Sequence, residues 1–418
     1  MPSSLRVRLA ATLGNVLEWF DFAVYGSFAT AIGQELFPSD DPSLSLLASF
    51  GVFSIGYLMR PLGGLLFGTL GDRLGRRSML VSSVLLMVLA SLAIGLLPGY
   101  SRLGVASAWL LTLLRMLQGL SVGGEFAGSI TYVVESAPQE KRGRHASFAA
   151  AGAVVGFVFG SLVAALVEAC LPPTAVNAWG WRLPFLFGSA LGGLTLWLRS
   201  DLEDTRPEAS SQDRPRQGLL RQLRNDGPLI LRVVGALAFT TVSYNLVFLY
   251  WVQRAIEMHP SRGGVFNVIT CLVEGLGVIA ILWAGRCADR LGPLLMMRRW
   301  NLLLLACLVP AMLLQARATA LSMAVGQLLA CLPLMLISGT YPVLIPSLFG
   351  SQSRCTGFAF SYSLVVALLG GSAPALAAWM MLHTHGTSAP LIYCLFWAIP
   401  TFWALSELRR FTPAMSAK

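Results

Sequence analysis

Twelve apolar stretches run through this 418-residue chain, and each is about as long as the ~20 residues that an α-helix needs to cross a bilayer. They cover residues 12–37, 45–70, 78–98, 105–136, 145–170, 181–199, 228–257, 264–285, 294–315, 319–349, 354–382 and 387–406. Apolar residues make up 55% of the chain and charged residues only 12%, against about 25% charged residues in soluble domains. The sequence therefore predicts an all-α membrane protein with twelve transmembrane helices.

The 30 Lys and Arg residues are distributed unevenly between the two sides of this predicted bundle. If the N-terminus is cytoplasmic, the opposite loops contain only Arg102, Arg262 and Arg317. Five more lie within spans or at their ends: Arg60, Arg115, Arg182, Arg232 and Arg254. The others, including Arg199, lie on the N-terminal side, as the positive-inside rule requires. We therefore expect a multi-pass protein of the bacterial inner membrane with both termini in the cytoplasm, and no nucleic-acid partner despite the net charge of +10.

A polar segment at 200–227 divides the chain into two parts with six predicted helices each, residues 1–199 and 228–418. Its Asp, Arg, Pro, Ser and Gln residues are typical of a cytoplasmic linker. The two parts repeat one loop motif: Gly68-x-x-Gly71-Asp72-Arg73-Leu74-Gly75-Arg76-Arg77 after the second helix, and Gly285-x-x-Ala288-Asp289-Arg290-Leu291-Gly292 after the eighth. Duplicated six-helix halves are typical of transporters in which one half rocks against the other.

These motifs resemble the signatures of the major facilitator superfamily, in the Gly-Asp-Arg loop and in Arg115-x-x-Gln118-Gly119. Further motifs resemble its metabolite:proton symporter family: Gly14-Asn15-x-x-Glu18-Trp19-Phe20-Asp21, Arg60-Pro61-x-Gly63-Gly64, Gly123-Gly124-Glu125 and Trp181-Arg182-x-Pro184-Phe185. The resemblance implies two pseudo-symmetric six-helix bundles that work by alternating access. Relatives carry α-ketoglutarate, citrate, shikimate, or proline and betaine.

Three acidic residues in the predicted spans are candidates for proton coupling. Charges inside a span cost about 2.5–3.5 kcal/mol each on insertion scales, so each requires a reason. Glu18 and Asp21 are three residues apart and share one helix face, and two neighbouring carboxylates in a medium of low dielectric constant do not both ionise easily. One of them is therefore expected to hold a proton. Glu125 is the third candidate, and packing contacts without a transport role remain the alternative for all three.

Arg115 is the principal candidate for substrate binding, because its guanidinium is a fixed fork that suits a carboxylate. It could bind the substrate, pair with Glu18, Asp21 or Glu125, or alternate between them. Neutral hydrogen bonds to the substrate are expected from Gln118, Tyr25, Tyr244, Asn245 and Tyr362, with ordinary contacts between helices as the alternative for each. Glu274 is a further charge deep in a span of the second half.

By the same resemblance, the loop residues form a latch that closes the cytoplasmic side in the outward-facing state. The expected members are Asp72, Arg73, Arg76, Glu135, Asp289 and Arg290. The Asp72 carboxylate is expected to meet a helix N-terminus or an Arg across the interface between the halves. The alternative is that these Arg residues only anchor the loop in the cytoplasm.

Together these observations predict proton-coupled import of a small carboxylated metabolite, an organic anion in the first instance. Uptake of a zwitterion such as proline or betaine is the alternative, and export is a third. We expect a monomer that is not an enzyme and uses the proton gradient without cofactor or metal. Pro333, Pro342 and Pro346 are expected to interrupt the tenth helix, and Gly370, Gly371 and Pro374 the eleventh.

Overall fold

The computed structural model describes residues 4–200, 202, 218–384 and 388–411, and long helices dominate this part of the chain. The first half contains six of them: α1 (Ser4–Ser27), α2 (Pro42–Leu74), α3 (Arg76–Gly95), α4 (Val105–Ser136), α5 (Arg142–Cys170) and α6 (Arg182–Ser200). A short helix, Ala29–Leu36, continues α1. Their positions follow the predicted apolar runs, since a helix satisfies every backbone hydrogen bond within one segment.

The second half repeats this arrangement, with four of its six helices interrupted. Two are continuous, α8 (Gly263–Leu291) and α9 (Pro293–Gln315). The interrupted ones are α7 (Leu219–Asn245 and Trp251–Met258), α10 (Ala320–Ser338 and Tyr341–Leu348), α11 (Arg354–Val365 and Ala373–Thr384) and α12 (Ala389–Phe396 and Ala398–Leu408). The expected interruption of α10 is present next to Pro342, but Pro333 and Pro346 lie inside helical segments. The expected interruption of α11 is present at Gly370 and Gly371, while Pro374 lies in the first turn of the helix that follows. The interruptions of α7 and α12 are additional.

The interruptions of α7 and α11 are π-helical turns, at Leu246–Tyr250 and Val366–Gly370. That of α10 falls at Gly339 and Thr340, directly before Pro342, whose missing N–H fits the first turn of a new helix. Helix α7 also begins at Leu219, within the segment 200–227 that the sequence analysis assigned to the linker, because a helix can continue beyond the apolar stretch. Residues 201 and 203–217 of that segment lie outside the described residues.

Each helix of the first half packs like the helix six places later in the second half. Helix α4 packs against α2 and α3 as α10 packs against α8 and α9, and α1 packs against α5 and α6 as α7 packs against α11 and α12. The halves meet mainly where α2 contacts α11 and where α5 contacts α8. The structure thus has the two pseudo-symmetric bundles that were predicted, while the boundaries 1–199 and 228–418 stay a prediction.

The outer surface of the bundle is apolar, which suits contact with lipid. Among the described residues, ten helical segments are long and apolar enough to cross a membrane, and α1 and α6 pack against these. Large apolar side chains such as Leu47, Leu276, Ile279 and Ile399 are at least 60% exposed. The buried charges Glu18, Asp21, Arg60 and Arg115 lie on α1, α2 and α4.

Candidate functional site

The Arg60 guanidinium lies at the centre of the first half and is held by aromatic rings. Arg60 is 1% exposed, and its guanidinium carbon lies 4.6–5.4 Å from the ring centroids of Trp19, Phe22 and Tyr57. Its Nη2 is 3.5 Å from Glu18 Oε1, which is a loose ion pair. Cation–π contacts strengthen when they are desolvated, so the rings stabilise a charge that lipid would exclude.

Arg115 occupies a second aromatic cage, formed by Phe22, Tyr25 and Phe53, with ring centroids 4.2–5.3 Å from its guanidinium carbon. Its Nη1 donates a 2.6 Å hydrogen bond to Gln118 Oε1. Among the described residues it forms no ion pair, so the predicted pairing with Glu18, Asp21 or Glu125 is absent. A charge-neutral partner leaves this guanidinium available to a carboxylate from outside.

Asp21 is connected to Arg115 through Gln118, which donates a 2.9 Å hydrogen bond to Asp21 Oδ2. The Ser91 hydroxyl also donates to Asp21 Oδ2. Asp21 and Glu18 therefore have separate partners, although they share helix α1. Their spacing predicted that the two carboxylates would oppose each other's ionisation. In the structure each contacts a different partner, Glu18 with Arg60 and Asp21 with Gln118.

Several polar atoms of this cluster have no hydrogen-bond partner within the described part of the chain. They are both carboxylate oxygens of Glu18, Oδ1 of Asp21, Nε and Nη2 of Arg60, and Nε and Nη2 of Arg115. Buried donors and acceptors are normally satisfied, because an unmade hydrogen bond costs about 1–3 kcal/mol. A small polar ligand bound here would form hydrogen bonds with these open donors and acceptors. We call Glu18, Asp21, Arg60, Arg115 and Gln118 the central cluster.

Glu125 is in a different environment from the other two acids. Its carboxylate is bidentate on Arg199, with Nη1–Oε2 at 2.9 Å and Nη2–Oε1 at 2.5 Å, and it accepts a 2.6 Å hydrogen bond from Ser83. Arg199 also donates to the backbone carbonyls of Ala10 and Leu80. The assignment of Arg199 to the basic loops was wrong, because this side chain is fully buried and joins α6 to α1, α3 and α4. Such a saturated pair fits a packing role for Glu125 better than proton transfer.

In the second half, the predicted polar residues have mostly local contacts. Tyr244 donates a 2.7 Å hydrogen bond to Glu274 Oε1, and Asn245 donates to the carbonyl of Thr241. The Tyr362 ring stacks on Phe126 across the interface between the halves, at 4.7 Å between centroids. In the first half, the Tyr25 hydroxyl donates to the Ser49 carbonyl. Of the predicted neutral residues, Gln118 alone hydrogen-bonds to charged groups of the central cluster in the described part of the chain, while the Tyr25 ring contacts Arg115.

The loop network joins the two halves at the side of the molecule that carries the basic loops. Asp72 accepts hydrogen bonds from the backbone N–H groups of Cys355 and Thr356, at 3.1 and 2.9 Å, at the start of α11. Asp289 accepts equivalent bonds from Gly143 and Arg144 at the start of α5, at 2.6 and 2.8 Å. Both carboxylates therefore meet a helix N-terminus of the opposite half, where the helix dipole favours negative charge.

Arginine side chains complete the network around Glu135. Arg76 forms ion pairs with Asp72 and Glu135, at 2.7 and 2.9 Å, and Arg354 contacts Glu135 at 2.8 Å. The predicted members Arg73 and Arg290 are exposed and form no ion pair with any described residue. Arg354, which the sequence analysis did not include, takes their place because it lies across the interface.

Sequence reasoning also missed Arg60 as a site residue, and the partners Ser83, Ser91 and Tyr57. Arg60 carried a usable signal, since it is a charge within an apolar run. Hydroxyl groups in spans carry no such signal, because they often satisfy the carbonyl four residues earlier in their own helix.

Comparison with known proteins agrees with this architecture. Residues 11–375 match the family model "Major Facilitator Superfamily". The proline/betaine transporter of Salmonella typhimurium is 34% identical over 406 residues, which are 93% of this chain and 80% of that protein. The putative proline/betaine transporter of Staphylococcus aureus is 30% identical over 420 residues, 98% of this chain and 89% of that protein.

Solved structures share the fold at low sequence identity. The proton:xylose symporter XylE has a TM-score of 0.76 at 17% identity, covering 98% of this chain and 96% of XylE. FucP in its outward conformation has a TM-score of 0.69 at 17% identity, with 99% of each chain covered. The predicted resemblance is confirmed, and the chain belongs to the Major Facilitator Superfamily of membrane transporters.

Proposed function

We propose that this transporter imports a small carboxylated metabolite together with protons, by alternating access, and that the metabolite is a zwitterion such as proline or betaine. The observation that carries the proposal is the central cluster, in which two buried guanidiniums and two buried carboxylates keep unsatisfied polar atoms. The names of the relatives in Salmonella and Staphylococcus support the same class of substrate.

The charges favour a zwitterion over the organic anion expected first. Arg60 and Arg115 are accompanied by Glu18 and Asp21, so the central cluster contains as many acids as bases. A dicarboxylate would bring two further negative charges into a site of low dielectric constant, where like charges repel strongly. A zwitterion adds no net charge, and its carboxylate can complete the open donors of Arg115.

Proton coupling follows from the loose Glu18–Arg60 pair. While Glu18 is ionised, it holds Arg60 at 3.5 Å. A proton on Glu18 removes this attraction, so that the Arg60 charge, which shares the Phe22 ring with Arg115, helps to attract the substrate carboxylate to Arg115. Proton and substrate would then bind cooperatively, because each favours the same arrangement of Arg60.

Uptake into proteoliposomes tests the proposal. With an acidic exterior and an alkaline interior, labelled betaine or proline should accumulate above its external concentration, and a protonophore should abolish the accumulation. Accumulation of α-ketoglutarate, citrate or shikimate, without uptake of either zwitterion, would overturn the substrate assignment.

We further propose that both termini lie in the cytoplasm of a bacterial inner membrane, on the side of the Asp72 and Asp289 loops. Fusions of alkaline phosphatase, which is active only outside the cytoplasm, test this orientation. A fusion after Arg410 should be inactive and one after Arg102 active, and the reverse pattern would contradict the proposal.

A further inference from the structure

Glu274 in α8 is a buried acid that the central cluster does not include. Among the Asp, Glu, Lys and Arg residues described from position 218 onward, it alone is fully buried, with 1% exposure. The second half thus contains one charge at depth where the first half contains several. A charge in that position requires a partner or a proton.

Only one of the two carboxylate oxygens of Glu274 accepts a hydrogen bond from a described residue. Oε1 accepts the 2.7 Å hydrogen bond from Tyr244, while Oε2 has no partner among the residues that the structure describes. No Arg or Lys of the described chain forms an ion pair with it, in contrast to Glu125 on Arg199 and Glu18 by Arg60. Oε2 is therefore a free acceptor that can take a cation.

Tyr244 connects this acid to the first half of the molecule. The adjacent Asn245 packs against the π-helical turn at Val366–Gly370, and that turn contacts α2 of the other half, the helix that carries Tyr57. Tyr57 is in turn one of the rings that hold the Arg60 guanidinium. The acid of the second half is therefore linked, through Tyr244 and this turn, to the helix of the first half that carries Arg60.

The first half offers little to an incoming cation. The rings of Trp19, Phe22 and Tyr57 that could form a cage for an ammonium group already hold Arg60, and Arg115 fills the second cage. These two guanidiniums also balance the carboxylates of Glu18 and Asp21, so the central cluster presents no net negative charge to a cation. The electrostatic potential at Glu274 thus favours a cation more, because this carboxylate forms no ion pair with a described Arg or Lys.

We propose that Glu274 binds the cationic nitrogen of the substrate while Arg115 binds its carboxylate. This inference rests on the proposed function and assigns one end of the zwitterion to each half. Only a ligand with both charges then joins the two bundles, which explains how binding would promote closure of one half on the other. The ligand class is a small amino acid or a quaternary ammonium carboxylate.

Betaine and 3,3-dimethylbutyrate provide a matched pair of probes, because they have the same shape and differ by replacement of the cationic nitrogen with carbon. Binding is measured by calorimetry on the full chain in detergent. The wild type should prefer betaine by about tenfold or more, as expected when a buried carboxylate gains or loses a cationic partner. Glu274→Gln should abolish the preference, Glu274→Asp should retain part of it, and the control Glu257→Gln, at an exposed position, should leave it unchanged.

A second measurement uses the wild type alone. Dicyclohexylcarbodiimide modifies buried carboxyl groups, and mass spectrometry locates the adduct. Betaine should protect Glu274 from modification and 3,3-dimethylbutyrate should not. Preference for betaine in Glu274→Gln, or equal protection by the two probes, overturns the inference while the proposed function stands. If the wild type binds neither betaine nor proline, the proposed function itself fails.

Discussion

Arg115 combines two properties that seldom occur together in a buried side chain. Three aromatic rings and Gln118 fix its position, and yet Nε and Nη2 have no partner among the described residues. A guanidinium held in this way presents two donors in a fixed plane. Planar donors match a carboxylate, and they do so without the loss of side-chain freedom that a mobile Lys would suffer.

Arg115→Lys is therefore expected to impair transport although it preserves the charge. Lysine cannot stack on the rings of Tyr25 and Phe53 or offer two parallel donors, so KM for the carboxylated substrate should rise about tenfold or more. Initial rates of uptake in proteoliposomes check this. Arg102→Lys, at an exposed position in the short helix Tyr100–Leu103 between α3 and α4, is the control and should transport normally. Wild-type kinetics in Arg115→Lys would exclude direct binding.

The acids Glu18 and Glu125 should respond in opposite ways to neutralisation. Glu125→Gln leaves Arg199 buried without its partner, a type of change that costs about 3–5 kcal/mol, so the melting temperature should fall markedly. Glu18→Gln breaks only a 3.5 Å contact and should change stability much less, while proton-driven accumulation is lost and counterflow continues. A stable Glu125→Gln variant that no longer couples uptake to protons would instead show that Glu125 takes part in proton transfer.

The sequence identified the buried charges of α1 and α4 because a charge in an apolar run is conspicuous. It could not identify their partners. The contact of Asp21 with Ser91 and that of Glu125 with Arg199 join helices far apart in the chain, and helical periodicity carries no information about such pairs. Arg199 was assigned to a loop because it lies at the end of its apolar run, where charge alone does not distinguish a buried side chain from an anchor.

At the scale of helices, α1 and α5 pack closely along a row of small residues. A Cβ added to Gly156 would lie 2.2 Å from the Val16 carbonyl oxygen, and one added to Gly152 would lie 2.7 Å from that of Thr12. Such proximity is the usual basis of helix association in membranes, where apolar burial gives little net driving force. The four-residue spacing of these glycines was visible in the sequence, but the identity of the partner helix was not.

Gly156→Ala should destabilise the protein by about 1–3 kcal/mol, because the new methyl group forces α1 and α5 apart. The matched control is Gly193→Ala in α6, where an added Cβ meets nothing within 4 Å. Thermal unfolding of the two purified variants makes the comparison. Equal melting temperatures for both variants would show that the contact between α1 and α5 tolerates separation.

The helix interruptions show a further limit of sequence reasoning. Pro342 indicated the break in α10, because proline cannot donate the backbone bond that a continuous helix requires. The π-helical turn at Leu246–Tyr250 contains neither Gly nor Pro, and so no residue type indicated it. Such turns often occur at functional sites, and this one follows Tyr244 and Asn245 directly.

For the molecule as a whole, the loop network indicates which side is closed. Asp72 and Asp289 each tie their own half to a helix N-terminus of the other half, so the network is symmetric like the fold. A transporter of this type must break these contacts to open on that side. The network therefore contributes to the equilibrium between the two open states.

Asp72→Asn should shift this equilibrium towards opening on the loop side. The buried thiol of Cys355, whose backbone N–H bonds to Asp72, reports the change. Its rate of modification by a maleimide, followed by mass spectrometry, should rise several-fold in the variant. Glu407→Gln disrupts only an exposed pair with Arg410 and should leave the rate unchanged. An unaltered rate in Asp72→Asn would show that the network does not control access.

The central claim is that a proton and a carboxylated zwitterion cross together through the central cluster. Proteoliposomes that contain a trapped pH indicator test it most directly, because added betaine or proline should acidify the interior at a rate proportional to solute uptake. Glu18→Gln should still exchange solute in counterflow while the acidification disappears. Solute accumulation without any proton movement, in wild-type protein, would contradict the account.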